Sequence, residues 1–498
     1  MPLPPVFALL ADVEIPDELR PWLAAAVAGY LVIIFAMAWW AQGRVDTPED
    51  YVVAGRRLGL WLSTGTLLAT WFGAGTLMTA ADEVRARGVE AATLDPVGAG
   101  LCLILAGLVF AGPLWREKLV TLPELFERRF GRAERRLGAA LMIPTYLGWV
   151  AAQFAALAGL IELFFGLPFA WALVAVAAVG IAYTTLGGMW AVALTDALQI
   201  GLTIVGLVGI AWAVAAHLGD GDAARGVTET WARTPPELRG LLPQQRGAVA
   251  GWLSVLAAGA LGNLASQDLF QRVFAARSAR VARAACLISG AAYLVLGLIP
   301  IALGLAGRSL FGPDGSSTIP ALAGLFLHPA AAVGFVVTLL SVVLSTIDSA
   351  LLAPAAVTVR DLWGGASSAD AELRAMRLGV VSLGLASLAL AFIGESAYAL
   401  LESGYELGMV ALLVPLCLAV FWPGVGRAAA LASMLLGTAV WTVHLAVGLE
   451  GFAGVEAIPV GLACTALSVV AAVGGAAWAK RSPSPGDDDP RRAGSARG

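Results

Sequence analysis

The run VVLSTIDSALL (342–352) places two neighbouring hydroxyls, Ser345 and Thr346, and a carboxylate, Asp348, inside an apolar segment. Val342 lies one helical turn before them, so its carbonyl faces the same side. A helical carbonyl keeps a second lone pair to share. Three oxygens on one face are half of a site for a hard cation. Hydroxyls in membrane helices also bond back to the preceding turn, and taken alone the run is accounted for more simply that way.

The missing oxygens require a second segment. In GTLLATWFGAGTLMTA (65–80), the glycines of FGAG (72–75) fall in the middle of an apolar run, where glycine weakens a helix. An unwound stretch there frees backbone carbonyls, which membrane depth tolerates only beside a cavity or an ion. Ala69 and Phe72, one turn apart, are the expected donors. The same glycines would equally serve as a close-packing face between helices. GALGN (259–263) is a second candidate break.

The elements that must hold these residues are membrane spans. Of 498 residues, 59% are hydrophobic and 13% charged, against about a quarter charged in soluble domains. Mean hydropathy is +0.81. Apolar runs long enough to cross a bilayer, about 20 residues each, predict thirteen spans. They cover 23–42, 60–80, 93–114, 138–161, 167–184, 190–217, 247–270, 281–306, 322–357, 374–394, 398–422, 428–448 and 458–479. The expected fold is therefore all-α and multi-spanning, with one transmembrane domain over 23–479. An amino terminus (1–22) precedes it and a disordered tail (480–498) follows. Alternate loops segregate 23 of the 31 Lys+Arg to one side and 8 to the other. The positive-inside rule then puts the amino terminus outside and the carboxyl terminus in the cytoplasm. No secretory signal precedes the first span. The four cysteines lie in apolar runs without metal-ligand spacing. HExxH and GxSxG are absent, so an intramembrane enzyme is disfavoured. A channel is disfavoured too, because no ring of charges or repeated filter segment occurs. No soluble domain or nucleic-acid-binding segment is present.

Asp196 and Asp348 stand well inside the spans, and Asp268 stands near the end of one. Such groups cost about 2.5–3.5 kcal/mol at the centre of a helix and commonly mark an ion or substrate path. Asp268 sits beside Gln271 and Arg272 near a span boundary, and its expected partner is Arg272.

With DYVVAGRRLGLW (50–61), LATWFGAGT (68–76), TLPELFERRFG (121–131), YTTLGGMWAVALTDALQ (183–199), QDLFQRVFAARS (267–278) and LSTIDSALLAPAAVTVRDL (344–362), in this order between spans, the chain resembles the sodium:solute symporter family. The resemblance implies a LeuT-like five-plus-five inverted repeat, spans 2–6 (about 60–217) and 7–11 (about 247–422), with one extra helix before and two after. It implies a sodium site made by the carbonyls of Ala69, Phe72 and Val342 and the hydroxyls of Ser345 and Thr346. Asp196 matches an aspartate on the family's sodium release path, and Asp348 is a possible charge partner for the ion. Either aspartate would carry the proton if coupling were to protons instead. Candidates for the solute cavity are Trp71, Gly73, Gly75, Trp149, Gln153, Trp252 and Asn263. An aromatic-rich cavity suits an organic cation, and choline transporters of the family carry a tryptophan where Trp71 stands. The implied function is sodium-coupled uptake, by alternating access, of a small organic solute such as an amino acid, carboxylate, quaternary amine or sugar. The ion is the only cofactor implied. The expected location is the bacterial inner membrane, with lipid as surroundings and no obligate protein partner.

Overall fold

The computed structural model describes residue 18 and residues 20–481, apart from 74, 315–317, 394–404, 423, 450 and 456–457. The tail, most of the amino terminus and the start of the expected 398–422 span thus lie outside the described residues. Among those described, the elements are helices, with isolated bridges in place of strands.

Among the described residues, nine helices are long and apolar enough to cross a membrane, or ten if a bent pair counts as one span. In chain order the segments used below are α1 (Arg20–Gln42), α2 (Leu60–Trp71), α3 (Ala80–Arg87), α4 (Val89–Arg116), α5 (Arg132–Phe165), α6 (Phe169–Leu218) and α7 (Val249–Leu261). They continue as α8 (Gln267–Ala275), α9 (Ala279–Phe311), α10 (Pro329–Leu362), α11 (Ala369–Ile393), α12 (Tyr405–Phe421), α13 (Arg427–Val447) and α14 (Val460–Arg481). The expected 322–357 span divides, because a separate helix, Thr318–Phe326, precedes α10.

Burial sorts these helices. In α10, 72% of the apolar window is buried inside the protein, against 22% in α1 and α14. Helix α10 is therefore central, packed on α5 and α6, while α13 and α14 pair at the periphery. Side chains such as Val32, Val205 and Val473 are largely exposed on the outer surface, as lipid contact requires. Trp22, Trp39, Trp61, Trp171 and Trp478 are exposed near helix ends, where indoles suit the membrane interface.

Three interruptions set the internal geometry. Helix α6 has 50 residues, about 75 Å if straight and far longer than a bilayer core of about 30 Å. It breaks at Gly188, whose φ of 51° and ψ of −146° are non-helical. A Cβ there would lie 2.4 Å from the Tyr51 carbonyl, so only glycine fits. The two expected spans 167–184 and 190–217 are the arms on either side. Helix α2 ends at Trp71 because Phe72 turns to φ −84°, ψ 69°. A π-helical stretch (Gly75–Thr79) then leads into α3. Helix α7 ends at Leu261, a 3-10 turn covers Gly262–Ala265, and Ser266 is extended. Helix α8 leaves at a bend of 52°.

Candidate functional site

The α2 interruption lies directly against α10. A Cβ on Gly73 would be 3.0 Å from Thr346 Oγ1, so only glycine lets the chain approach the hydroxyl this closely without a shift. The Gly73 N–H turns back to the Trp71 carbonyl at 3.0 Å and does not make the i−4 bond that would occupy Ala69. Ala69, Phe72, Val342, Ser345 and Thr346 are each at most 2% exposed. The structure thus brings the two distant segments together in a dry interior. Thr346 Oγ1 donates to the Val342 carbonyl at 3.3 Å. This is the back-bond that sequence offered as the simpler explanation, and it leaves the hydroxyl oxygen as an acceptor.

Asp196, fully buried on α6, lies beside them. It accepts hydrogen bonds from Ser345 Oγ at 2.6 Å and from Thr66 Oγ1. The Arg272 guanidinium on α8 approaches it at 3.5 Å. Arg272 also donates to Ser349 Oγ, to the Thr66 carbonyl at 3.2 Å and to the Asp268 carbonyl at 2.9 Å. Four helices, α2, α6, α8 and α10, therefore share one polar knot. Asp348 Oδ1 accepts from Ser349 at 3.0 Å. Its Oδ2 is buried with no hydrogen-bond partner among the described residues.

The expected Asp268–Arg272 pair does not form. Arg272 takes the backbone carbonyl of Asp268 and pairs with the carboxylate of Asp196, while the Asp268 carboxylate accepts from Tyr146 Oη. That side chain instead lines a pocket between α5, the α7–α8 turn and α12. Trp149 and Asn263 line it as well, together with Tyr146, Ser266 and Tyr405. Gln153, one turn beyond Trp149, is buried with its carbonyl oxygen unpartnered among the described residues. Trp252 lies elsewhere, its indole N–H held by the Leu241 carbonyl at 2.9 Å. Trp71 and Gly75 lie at the α2 interruption, outside the residues lining the pocket.

Sequence reasoning missed Asp95, which falls at the start of the expected 93–114 span. It accepts from Tyr293 Oη at 2.6 Å and Thr76 Oγ1 at 2.9 Å. Both hydroxyls also reach the Trp71 carbonyl, at 3.1 and 3.3 Å. Asp95 thereby braces the interrupted backbone of α2 through two side chains. An acidic residue 19 positions after the threonine it meets gives no periodic signal.

One end of the molecule, the end carrying the basic loop 115–137, is tied shut. Leu58 N–H donates to the Ala275 carbonyl at 3.0 Å, and Arg277 N–H to the Leu58 carbonyl at 2.9 Å. Gln267, fully buried, accepts from Leu122 N–H at 2.7 Å and donates to the Val120 carbonyl at 3.1 Å. Trp115 Nε1 donates to the Ala276 carbonyl at 2.7 Å. Arg135 adds an ion pair to Asp361 at 2.6 Å. The strand-like segment before α2 and the residues after α8 are therefore joined below the Asp196 knot.

Comparison with known proteins places this geometry in context. The sequence profile described as the sodium:solute symporter family matches residues 51–437. The chain is 28% identical over 443 residues to the human high affinity choline transporter 1, covering 83% of this chain and 75% of that protein. It is 27% identical to the high-affinity proline transporter of Bacillus subtilis, covering 87% and 94%. In three dimensions it resembles a Na+-coupled sialic acid symporter in a substrate-bound outward-open state. The TM-score is 0.76 at 18% identity, covering 91% of this chain and 96% of that one. The nucleobase-cation-symport transporter Mhp1 follows, with a TM-score of 0.59 at 16% identity, covering 88% and 96%.

Proposed function

The chain belongs to the sodium:solute symporter family, and from that premise we propose that it takes up a small organic solute together with sodium by alternating access. The observation that carries the reading is the close approach of the interrupted α2 backbone at Gly73 to Thr346 in a buried interior, with Asp196 accepting from Ser345 alongside. It supports a site made by the carbonyls of Ala69, Phe72 and Val342 and the hydroxyls of Ser345 and Thr346. Sodium held by those five oxygens would bridge α2 to α10 and fix their spacing.

The hydrogen-bonded basic end is the cytoplasmic gate in this reading. Sodium leaves past Asp196 once the Leu58–Ala276 and Gln267 contacts open. Coupling requires the ion to favour one conformation, since equal affinity for both shifts nothing. The two arms of α6, the broken α2–α3, the bent α7–α8 pair and α12, taken as crossings, bring the nine long helices to thirteen. That number supports a five-plus-five inverted repeat with flanking helices, and an odd number of crossings puts the two termini on opposite sides, the carboxyl terminus on the cytoplasmic side by the basic loops.

Uptake in proteoliposomes tests the reading. Ser345→Ala and Thr346→Ala should each raise the sodium concentration giving half-maximal uptake, and unchanged sodium dependence in both would remove the assigned site. A proton-coupled symporter is the second reading, favoured by one observation: the unpartnered Oδ2 of Asp348 suits a proton. Uptake driven by a pH gradient in the absence of sodium would establish it.

A further inference from the structure

The carboxylate of Asp268 stands in the pocket without a cation. It is 4% exposed, and Tyr146 Oη donates to its Oδ1. Its own N–H donates to the same Tyr146 oxygen at 3.1 Å, so the phenol and the first turn of α8 hold the group rigidly. A carboxylate in the first turn of a helix is favoured by about 0.3–1 kcal/mol through the helix dipole. No arginine or lysine pairs with it among the described residues, because Arg272 is engaged by Asp196.

Asp196 is paired with Arg272, whereas Asp268 faces the pocket with the Tyr146 hydroxyl and no ion pair among the described residues. Burying a charge is costly unless it is paired, so a cationic group in the pocket would stabilise it. The rest of the pocket suits a positive nitrogen. Trp149 and Tyr146, one turn apart on α5, line one wall with ring centroids 6.0 Å apart and planes tilted by 41°, and Tyr405 closes another side. Aromatic faces attract cations. Asn263 and Ser266 add hydrogen-bonding groups, and Ser266 Oγ is buried without a partner among the described residues.

We propose that Asp268 is the anchor for the solute's charge, and that the solute is a small organic cation carrying an N–H that donates to the Asp268 carboxylate in the pocket lined by Tyr146 and Trp149. This inference rests on the symporter reading above, since it takes the pocket as the solute site. A carboxylate oxygen gains more from an N–H than from a methyl surface, so a protonated tertiary amine is preferred to its quaternary counterpart.

The test is binding to the purified full-length protein in sodium, followed by thermal shift. The probes are dimethylethanolamine, protonated at neutral pH, choline as its quaternary counterpart, the uncharged isostere 3,3-dimethylbutanol, glucose and glycolate. The wild type should bind dimethylethanolamine at least about tenfold more tightly than the uncharged isostere and more tightly than choline. Asp268→Asn keeps an acceptor for Tyr146 and should lose that preference while its stabilisation by sodium over potassium is retained. The proposal is overturned if no cation shifts the wild type, if the neutral or anionic probes bind as well, if choline binds as tightly, or if Asp268→Asn leaves the preference intact. Absence of any sodium effect on the wild type would instead count against sodium coupling, and the Asp268 comparison would still stand.

Discussion

Gly73→Ala is expected to weaken sodium binding without replacing a ligand. Gly73 does not occupy the left-handed region, so alanine suits its backbone. The added Cβ would lie 3.0 Å from Thr346 Oγ1 and 4.0 Å from Cγ2. The oxygen contact is about half an ångström inside the ordinary 3.5–4.0 Å separation of non-bonded atoms. Threonine in a helix has two accessible χ1 rotamers, so turning Thr346 relieves the clash at little cost. That turn carries Oγ1 away from the α2 carbonyls. One interaction with a charged partner is worth about 1.5–3 kcal/mol, which converts to roughly 10–150-fold in the sodium concentration for half-maximal uptake. The assay is sodium-dependent uptake in proteoliposomes by the wild type, Gly73→Ala, Thr346→Ala and the double variant. Both single changes remove the same oxygen, so the double variant should resemble Thr346→Ala alone, with a coupling energy as large as either effect. Additive losses, or wild-type sodium dependence in Gly73→Ala, would refute the reasoning.

Other outcomes follow from the same geometry. Asp196→Asn leaves Arg272 buried without its anion and should destabilise the protein by about 3–5 kcal/mol; the melting temperature in detergent should fall and recover in part in Asp196→Asn/Arg272→Gln. Gly188→Ala places a Cβ 2.4 Å from the Tyr51 carbonyl at a positive φ, and size-exclusion profiles should show little monodisperse protein. Gln267→Ala removes both hydrogen bonds to the 120–122 turn, so amide hydrogen exchange at 119–122 should rise while the pocket around Trp149 keeps its protection.

Much of this architecture is legible in the sequence because bilayer physics is periodic and compositional. Apolar runs mark α1, α4, α13 and α14 directly. The FGAG and GALGN runs mark two of the three interruptions, since glycine is poorly suited to a helix interior. Where packing decides, the sequence is silent. Asp268 and Arg272 are one helical turn apart and read as a pair, yet tertiary packing gives each another partner, Tyr146 for the carboxylate and Asp196 for the guanidinium, both far away in sequence. Asp95 and Tyr293 meet only because α4 and α9 both pass the α2 interruption. Trp252 reads like Trp149, an indole in an apolar run, and only the tertiary fold separates the loop contact of one from the pocket of the other. The Thr318–Phe326 helix shares its hydropathy with α10 and became distinct only through the turn between them.

Equilibrium binding of radioactive sodium to the purified protein, with no solute present, reaches the central claim most directly. The wild type should show saturable binding displaced by unlabelled sodium and not by potassium, and both Ser345→Ala and Thr346→Ala should lower its affinity. Saturable binding of wild-type affinity in both variants would contradict a sodium site between α2 and α10.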